Sequence, residues 1–592
     1  MRNLFYLTFL LLTTIGLQAQ KLAVYDLSTD HRENPLGIDN AKPRLSWKLR
    51  GEGRDIVQTA YHVRVGTRPD FSKASIVWES GKVSSPQSIL VEYGGPAPES
   101  SRRYYWQVKV WDQLNRESAW SGAAYWEMGL LDADRWSAKW IEPPHDTLEK
   151  IPAPLVRKEF VVGKKVTTAR VYVTAHGFYE LWINGARVGE DVLTPGWTAY
   201  QKRLQYQVYD VTKMLQNGSN VMGAMLGDGW YRGLLGWTGN WGLWGKQLGL
   251  LCQLVVTYLD GSNDVIATDD SWKSSNEGPI LMNSIYDGET YDARKEINGW
   301  NRPGFNDTGW KPVRVASHPM EVLVATETVP VRKVQEIKPV RIFRTPKGLL
   351  VADLGQNMVG WIRLNVKGNA GTTVTVRHAE VLDKYGEFYT ANLRAADATM
   401  RYILKGDGAG EVYEPRFTFF GFRYVSVEGF PGDLKPENIT GIVVHSDMKP
   451  TGTFECSNPL INQLQKNIVW GQKGNFVDVP TDCPQRDERL GWTGDAQAFC
   501  RTAAFNMNVA PFFAKWLKDL AADQYPDGRV PFVVPDVIRN NSGTSAGWGD
   551  VATIAPWTMY QVFGDKKFLR DQYASMKAYV DYIHKTAGDT YI

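Results

Sequence analysis

The sequence is poor in the residues that metal centres and disulfide scaffolds require. Its 592 residues include only four cysteines and eight histidines. The cysteines lie at positions 252, 456, 483 and 500, a spacing that matches no metal-binding motif and is too sparse for a disulfide framework. We therefore expect free buried thiols and no metal centre, with a Cys483–Cys500 disulfide left open as an alternative.

An excess of one charge is also absent. The chain has 67 Lys+Arg against 64 Asp+Glu, a formal net charge of +3. A protein this close to neutrality offers no electrostatic basis for binding nucleic acid or an acidic membrane surface. No segment beyond the N-terminal end is long and apolar enough to span a bilayer. We expect no nucleic-acid partner and no membrane span in the mature protein.

The N-terminal residues have the pattern of a secretory signal. Arg2 precedes an apolar run over residues 4–12, and small and polar residues follow, with Ala19 at the expected cleavage position. A membrane anchor or a short buried helix is the alternative, and the apolar run is too short to cross a bilayer. The pattern predicts a signal peptide at residues 1–19 and export to the periplasm or the medium.

Length and periodicity predict several domains. Short runs of alternating apolar and polar residues at 21–136 predict a β-sandwich of fibronectin type III kind. Residues 140–324 keep the alternation, with longer Gly- and Trp-rich connections and a hairpin signal at Asn184-Gly185, and predict a jelly-roll-like accessory β-domain. Residues 330–446 predict a further β-sandwich that precedes a helical barrel.

After residue 450 the apolar residues change to helical spacing. Five helices are predicted, at 459–470, 496–504, 511–522, 551–562 and 568–586. The short connections rich in Gly, Asp and Pro favour antiparallel helix pairs. Asp495 is predicted to be the N-cap of the helix that begins at Ala496.

Residues 481–495, TDCPQRDERLGWTGD, concentrate the residue types that glycoside hydrolysis uses. Pro484, Gly491 and Gly494 prevent a continuous helix, so the segment is expected to form a loop at the mouth of a helix. It contains four acids, two arginines and a tryptophan: Asp482, Asp487, Glu488, Asp495, Arg486, Arg489 and Trp492. One acid must donate a proton, and neighbouring carboxylates are expected to raise its pKa. Arginines fork hydrogen bonds to hydroxyls, and an indole packs on a pyranose face. The alternative is a solvated loop of mixed charge with a capping aspartate.

This motif resembles the signature of the bacterial α-L-rhamnosidases, inverting glycoside hydrolases whose catalytic domain is an (α/α)6 barrel. The resemblance implies that Glu488 is the general acid. It also implies substrate-binding residues in the motif and in the segment AGWGD at 546–550, which is similar to the next barrel loop: Asp482, Arg486, Trp492, Asp495, Trp548 and Asp550.

The resemblance extends over nearly the whole mature chain. The segments that carry it include LWINGARVG at 181–189, LGDGWYRG at 226–233, DLGQN at 353–357, HAE at 378–380 and FTFFGFRY at 417–424. Some members of the family carry a calcium-dependent rhamnose-binding module. By that analogy, an accessory sugar site with calcium is hypothesised at Asp228, Trp230 and Tyr231, whereas turn and core positions are the alternative. The hydrolysis itself requires no cofactor.

An inverting glycosidase needs a second carboxylate as general base, and the family supplies it from a glutamate late in the barrel. The 143 residues from Pro450 onward fall short of the roughly 216 that twelve helices of about 12 residues with loops of about 6 would occupy. We therefore expect the N-terminal half of the barrel at 450–592, a missing general base and little hydrolysis, whether the chain is a fragment or a truncated product.

The function expected from the resemblance is hydrolysis of terminal non-reducing α-L-rhamnose from glycans or plant glycosides with inversion. A secreted carbohydrate-binding protein with an inactive half-barrel is the first alternative. A different helical-barrel hydrolase or a polysaccharide lyase is the second alternative. A lyase would need a Tyr/His or Lys base close to the acids, and it is disfavoured because His584 is the one histidine in the helical part. The aglycone, the linkage and the oligomeric state stay open.

Overall fold

The computed structural model describes residues 22–51, 54–144, 151–237, 239–539 and 542–590, and the predicted signal peptide at 1–19 lies outside these ranges. The described chain forms a small compact unit, built from segments up to Glu127, and a large one, built mainly from Met128 onward. Within the described ranges, the helices are all too short or too polar to cross a membrane.

The small unit is a β-sandwich, as predicted. Its core contains Trp47, Trp106 and Trp126, which are almost fully buried because alternate residues of each strand face inward. One sheet contains three strands and the other five: Ala23–Thr29, Arg44–Arg50 and Val91–Glu92; then Ile76–Glu79, Gln58–Gly66, Arg103–Asp112, Ala124–Glu127 and Val83–Ser84.

The large unit begins with two packed sheets. The hairpin predicted at Asn184-Gly185 is present: Ile183 pairs with Ala186, and both turn residues have positive φ, at 53° and 85°. The strands of the first sheet are Ala186–Arg187, Phe178–Ile183, Gly218–Gly227, Leu155–Val162, Lys273–Ser275 and Lys311–Pro312. The strands of the second are Arg314–Ala316, Trp140–Glu142, Gly249–Tyr258, Val166–His176, Leu204–Asp210, Leu323–Ala325 and Asn263–Ala267.

A third, larger sheet follows and supports the helical region. Two of its strands, Ile280–Ser284 and Gly288–Asp292, fall inside the range predicted for the accessory domain. They join this sheet because Gly288–Asp292 pairs in parallel with Thr399–Ile403, a long-range pairing without a local sequence signal. The other strands are Thr373–Ala379, Phe420–Glu428, Leu350–Val366, Ile439–Ser446, Val331–Ile337, Arg341–Arg344 and Glu411–Tyr413. Three short hairpins complete the described strands: Leu234–Leu235 with Asn240–Trp241, Val381–Leu382 with Phe388–Tyr389, and Phe476–Val477 with Val479–Pro480.

The helices are α1 (Gly229–Arg232), α2 (Pro459–Asn475), α3 (Thr493–Asn506), α4 (Ala510–Asp523), α5 (Val551–Phe563) and α6 (Lys566–Ala587). The last five confirm the predicted helices. Helix α3 begins at Thr493, however, so the prediction that Asp495 is an N-cap is wrong. Trp492 is the N-cap, with extended backbone angles, and Asp495 lies in the first turn, where its negative charge is favourable to the helix dipole.

A buried ion pair within the helical region contacts the accessory β-domain. Lys515 of α4 is fully buried and lies 3.0 Å from the Oδ2 atom of Asp478. The same oxygen accepts a 2.5 Å hydrogen bond from the backbone N–H of Trp197, and Lys515 donates to the carbonyl of Trp197. Because a buried charge without a partner is costly, these contacts fix α4 against the β-domain. The four cysteines are free thiols, and three of them are buried.

Candidate active site

The loop at 481–492 is held in place by a buried arginine. The guanidinium of Arg489 donates to the carbonyls of Ile285 and Phe419, at 2.7 and 2.6 Å, and to those of Arg486 and Gln485 within its own loop, at 3.1 and 3.0 Å. Burial lowers the pKa of Arg489 to about 10. The charged group thus satisfies four carbonyls that the irregular loop would otherwise leave without partners.

Glu488 lies at the centre of the polar contacts of this loop. Its Oε1 accepts a 2.9 Å hydrogen bond from the indole N–H of Trp492. Its Oε2 accepts from Arg486 and from Arg394, each at 2.8 Å. The hydroxyl of Tyr286 donates to its backbone carbonyl at 2.5 Å. The carboxylate is therefore oriented from both sides, by two residues of its own loop and by Arg394 from a β-domain.

These arginines determine the charge of Glu488. Burial raises the pKa of Glu488, but the hydrogen bonds and positive charges of Arg486 and Arg394 outweigh burial and hold it below its usual value. The expectation that neighbouring carboxylates raise the pKa of the acid is thus wrong for Glu488. Asp482 does show a raised pKa. Burial is the main cause, the charge of Glu488 adds to it, and together they raise the pKa of Asp482 to about 6. Without a substrate, Glu488 is therefore the more acidic member of the pair.

Asp482 closes the loop at its other end. Its Oδ1 accepts from the backbone N–H of Leu490 at 3.0 Å, and its Oδ2 accepts from Arg486 at 2.9 Å. The guanidinium of Arg486 thus bridges Asp482 and Glu488. Within the described part of the chain, ligand atoms of Asp482, Cys483 and Glu488 lie within 4.8 Å of one another. The positive charge of Arg486 already bridges the two carboxylates, and burial raises the pKa of the Cys483 thiol, so this set is poorly suited to a cation.

Aromatic side chains line the approach to Glu488. The ring of Trp237 is nearly parallel to that of Trp492, with centroids 6.1 Å apart. Phe532 lies 6.3 Å from Trp492 and packs edge-on against Trp548 at 6.0 Å. Trp237 and Trp548 are 47% and 39% exposed, so the row combines two half-buried rings with two open ring faces. Such faces are suited to the C–H side of a pyranose.

The remaining predicted residues differ in their surroundings. Asp495 is exposed in the first turn of α3, and burial of part of its carboxyl raises its pKa. Asp550 accepts hydrogen bonds from the hydroxyl of Tyr579 at 2.9 Å and from the N–H of Gly547 at 2.8 Å, contacts that stabilise the turn before α5. The structure therefore brings Asp482, Arg486, Glu488 and Trp492 together. It connects Trp548 to them through Phe532.

The side chains of the hypothesised accessory sugar site occupy the turn and core positions of the alternative. Asp228, Trp230 and Tyr231 are 5%, 2% and 8% exposed. Asp228 forms an ion pair with the fully buried Arg232, and burial raises the pKa of Asp228 to about 6 despite this partner. Trp230 stacks on another buried indole, and Tyr231 stacks on a buried histidine ring. None of the three presents an open surface to a sugar.

Three contributors to the site were not anticipated from the sequence: Arg394, Tyr286 and Trp237. Each lies in a β-domain, more than 90 residues before the residue that it contacts. The backbone of Arg394 has a φ of 56°, an uncommon conformation for a residue other than glycine. Trp237 follows the motif LGDGWYRG that the resemblance singled out, and this proximity was the one available signal.

The central acid is hydrogen-bonded to an indole and to two arginines, and it lies beside aromatic rings and paired helices. This combination is typical of glycoside hydrolases with a helical catalytic domain. Four family models match the chain. They are the Rha78A-like N-terminal immunoglobulin domain at 24–132, the α-L-rhamnosidase N-terminal domain at 164–335, and the bacterial α-L-rhamnosidase concanavalin-like domain at 343–445 and six-hairpin glycosidase domain at 449–592. The chain belongs to the bacterial α-L-rhamnosidase family.

Individual relatives agree with this assignment. An α-L-rhamnosidase of Streptomyces avermitilis is 37% identical over 95% of this chain and 71% of its own length. One of Formosa agariphila is 42% identical over 94% of this chain and 61% of its own length. The crystal structure of the Streptomyces avermitilis α-L-rhamnosidase complexed with L-rhamnose superposes with a TM-score of 0.91 at 36% identity, covering 95% of this chain and 71% of that one. The chain thus spans about two thirds of the length of these relatives.

Proposed function

We propose that this protein hydrolyses terminal non-reducing α-L-rhamnose from glycans or glycosides by an inverting mechanism, with Glu488 as the proton donor. The observation that carries the proposal is the environment of Glu488. Its carboxylate is bonded to the Trp492 indole, shared with two arginines and adjacent to a row of open aromatic faces. That arrangement can place a pyranose ring against Trp492 with its glycosidic oxygen close to an acid.

A proton donor must be protonated when the substrate is bound, whereas Arg486 and Arg394 hold Glu488 ionised in the free protein. The side chain of Arg394 is 43% exposed and belongs to the β-domain. A sugar that displaces Arg394 from Glu488 removes one of the two charges that lower the pKa. Substrate binding therefore favours the protonated acid, and the open faces of Trp237 and Trp548 supply the binding energy.

The proposal gives the other residues supporting roles. Asp482, Arg486, Trp492 and Asp495 would bind the rhamnosyl ring, with Trp548 and Asp550 from the following loop. The water-activating carboxylate would lie about 6.5–9.5 Å from the acid. We assign that role to no residue of this chain, and its absence stays a prediction. The proposed chemistry needs no metal, the protein would be exported, and the partner is a rhamnose-containing oligosaccharide, polysaccharide or plant glycoside.

The proposal is tested with 4-methylumbelliferyl α-L-rhamnoside, with and without sodium azide. Water needs a general base to attack the anomeric carbon, whereas the azide anion does not. If the acid and sugar subsite are present and the base is absent, azide accelerates release of the fluorophore and the product is β-L-rhamnosyl azide. Glu488→Gln serves as the matched variant.

The possible results separate the parts of the proposal. Rapid turnover without azide would show that the base is present, which contradicts only the prediction of its absence. Product of retained anomeric configuration would contradict inversion. Release that is insensitive to Glu488→Gln, with and without azide, would contradict the assignment of the acid.

A further inference from the structure

Two segments singled out by the sequence analysis are not used by the proposed reaction, and the structure brings them together. The side-chain amide of Asn357, from DLGQN at 353–357, donates to the Oε1 atom of Glu380, from HAE at 378–380, at 3.0 Å. Both residues line a cavity of about 280 Å³. Helix α2 forms its opposite wall, and Pro484 contributes from the loop that carries Glu488.

The first segment reaches this cavity because its strand bulges. In Leu350–Val366, Asp353 pairs with Tyr424 and Met358 pairs with Phe422. The strand therefore advances five residues while its partner advances two, which leaves residues 354–357 outside the regular ladder. A bulge of this kind redirects side chains away from the sheet, and such bulges are common beside functional sites.

Ion pairs fix the bulge in one conformation. Asp353 is buried, and its Oδ1 accepts hydrogen bonds from the N–H of Gly355 and from the guanidinium of Arg423, each at 2.8 Å. Gly355 has a φ of 73°, a conformation that suits glycine. Asp353, Gly355 and Arg423 thus act as a frame, and Gln356 and Asn357 are the residues that it presents to the cavity.

The wall formed by helix α2 is open and combines an indole with side-chain amides. Gly471 and Gly474 lie on it, and a Cβ atom added to Gly471 would meet no atom within 4 Å. Glycine weakens a helix relative to alanine, so its presence here is explained better by the space it leaves than by helix stability. Trp470 and Asn475 complete the wall, and the buried Oδ1 atom of Asn475 has no hydrogen-bond partner.

We propose that this cavity is a second carbohydrate-binding site, which takes one neutral pyranose unit. An indole face, several side-chain amides and a carboxylate are the groups that recognise the C–H face and the hydroxyls of a sugar. The eleven lining residues include no Lys, Arg or His, which disfavours a phosphate or sulfate ligand. The volume lies just below the roughly 300–1,000 Å³ typical of sites for drug-sized ligands, as suits a single sugar ring.

The position of the cavity links it to the catalytic loop. Pro484, in its wall, is two residues from both Asp482 and Arg486. Burial raises the pKa of Glu380, while Asn357 and the positive charges of Arg486 and Arg489 oppose the increase. A bound sugar would therefore contact the loop that positions Glu488 without using the residues assigned to the rhamnosyl subsite. The inference concerns binding and does not depend on hydrolysis.

The site is tested by saturation-transfer NMR with L-rhamnose and D-galactose as probes, in a chain that carries Trp492→Ala to weaken the proposed catalytic subsite. Two changes act on the cavity in different ways: Trp470→Ala removes the ring, and Gly471→Leu fills the space. Leu464→Ala, an exposed position on the same helix outside the lining, is the matched control.

We expect the Trp492→Ala chain to bind at least one probe, and we expect Trp470→Ala and Gly471→Leu each to weaken that binding about tenfold, with Leu464→Ala unchanged. Circular dichroism checks that each variant is folded. Absence of binding to both probes in the Trp492→Ala chain, or binding that Gly471→Leu leaves intact, would overturn the inference. Neither result bears on azide-dependent release of the fluorophore, so this inference and the proposed function can fail separately.

Discussion

Two segments of the large unit use the same residue types and are put to different uses. Residues 227–233 and residues 481–495 each contain an acid, an arginine and a tryptophan close together in the sequence. In the first, the Asp228–Arg232 pair and Trp230 are almost entirely buried. In the second, one ring face and part of the charged cluster stay accessible, and residues from distant strands complete the cluster.

The difference shows that exposure, and not composition, separates a binding segment from a packing segment. A buried ion pair contributes little net stability but becomes costly when one partner is removed. A half-exposed cluster tolerates substitution more easily and can exchange its internal contacts for contacts with a ligand. Substitutions in the first segment should therefore lower the stability of the protein, and substitutions in the second should lower its activity.

The largest effect is expected on the rate of hydrolysis, for Glu488→Gln. The change is made in a form of the protein that hydrolyses the aryl rhamnoside. Loss of a general acid lowers the rate by about 10²–10⁴-fold. The amide can still accept the hydrogen bond from Trp492, so the midpoint of thermal unfolding should change little. Steady-state rates and a thermal melt, with Asp581→Asn on the surface of α6 as control, test both statements. Full activity in the Glu488→Gln variant would remove Glu488 from the mechanism.

Arg232→Met should produce the largest loss of stability. It leaves the carboxyl of Asp228 buried without its cation, a change that typically costs about 3–5 kcal/mol. Because burial already raises the pKa of Asp228 to about 6, its ionised form opposes folding as the pH rises through that value. Urea unfolding at pH 5 and pH 8 should show the larger loss at pH 8.

The control for this change is the double variant Asp228→Asn/Arg232→Met, which removes the stranded charge. It should recover part of the stability and flatten the dependence on pH. Equal losses of unfolding free energy for the single and double variants at both pH values would mean that the charge of Asp228 does not cause the loss.

The two segments also show how much could be predicted. The loop at 481–492 and the helices after it were predictable because proline, glycine and apolar spacing are local signals. The contacts of Arg394 and Tyr286 with Glu488 depend on strands brought beside the loop by pairing over a hundred or more residues, as between Gly288–Asp292 and Thr399–Ile403. Pairing at that distance has no local pattern. It is also why the side-chain charge of Glu488 could not be predicted from its own neighbours in sequence.

Arg394→Gln tests this long-range contribution and should have an intermediate effect. Removing its positive charge raises the pKa of Glu488, because burial is then opposed by Arg486 alone among the two arginines bonded to it. A general acid with a higher pKa stays protonated to higher pH. The alkaline limb of kcat/KM should therefore move to higher pH. Arg401→Gln, which breaks an exposed ion pair in the same β-domain, is the matched control. A limb that stays in place, or moves to lower pH, would show that Arg394 does not set the charge of the acid.

The smallest effect is expected for Trp237→Ala. Trp237 and Trp230 lie only seven residues apart, but Trp237 is 47% exposed and Trp230 only 2%. Trp230 contributes to the core, whereas the ring of Trp237 stacks only on Trp492 among the described aromatic residues. Loss of one aromatic contact is worth about 0.5–1.5 kcal/mol, so KM should rise by about 2- to 10-fold while kcat changes little. Trp237→Phe should recover part of the affinity. Tyr385→Ala, which removes an exposed aromatic ring outside the site, is the control and should leave KM unchanged. If Trp237→Ala instead lowered the unfolding midpoint and left KM unchanged, the ring would belong with Trp230 as a packing residue, and exposure alone would not distinguish the two segments.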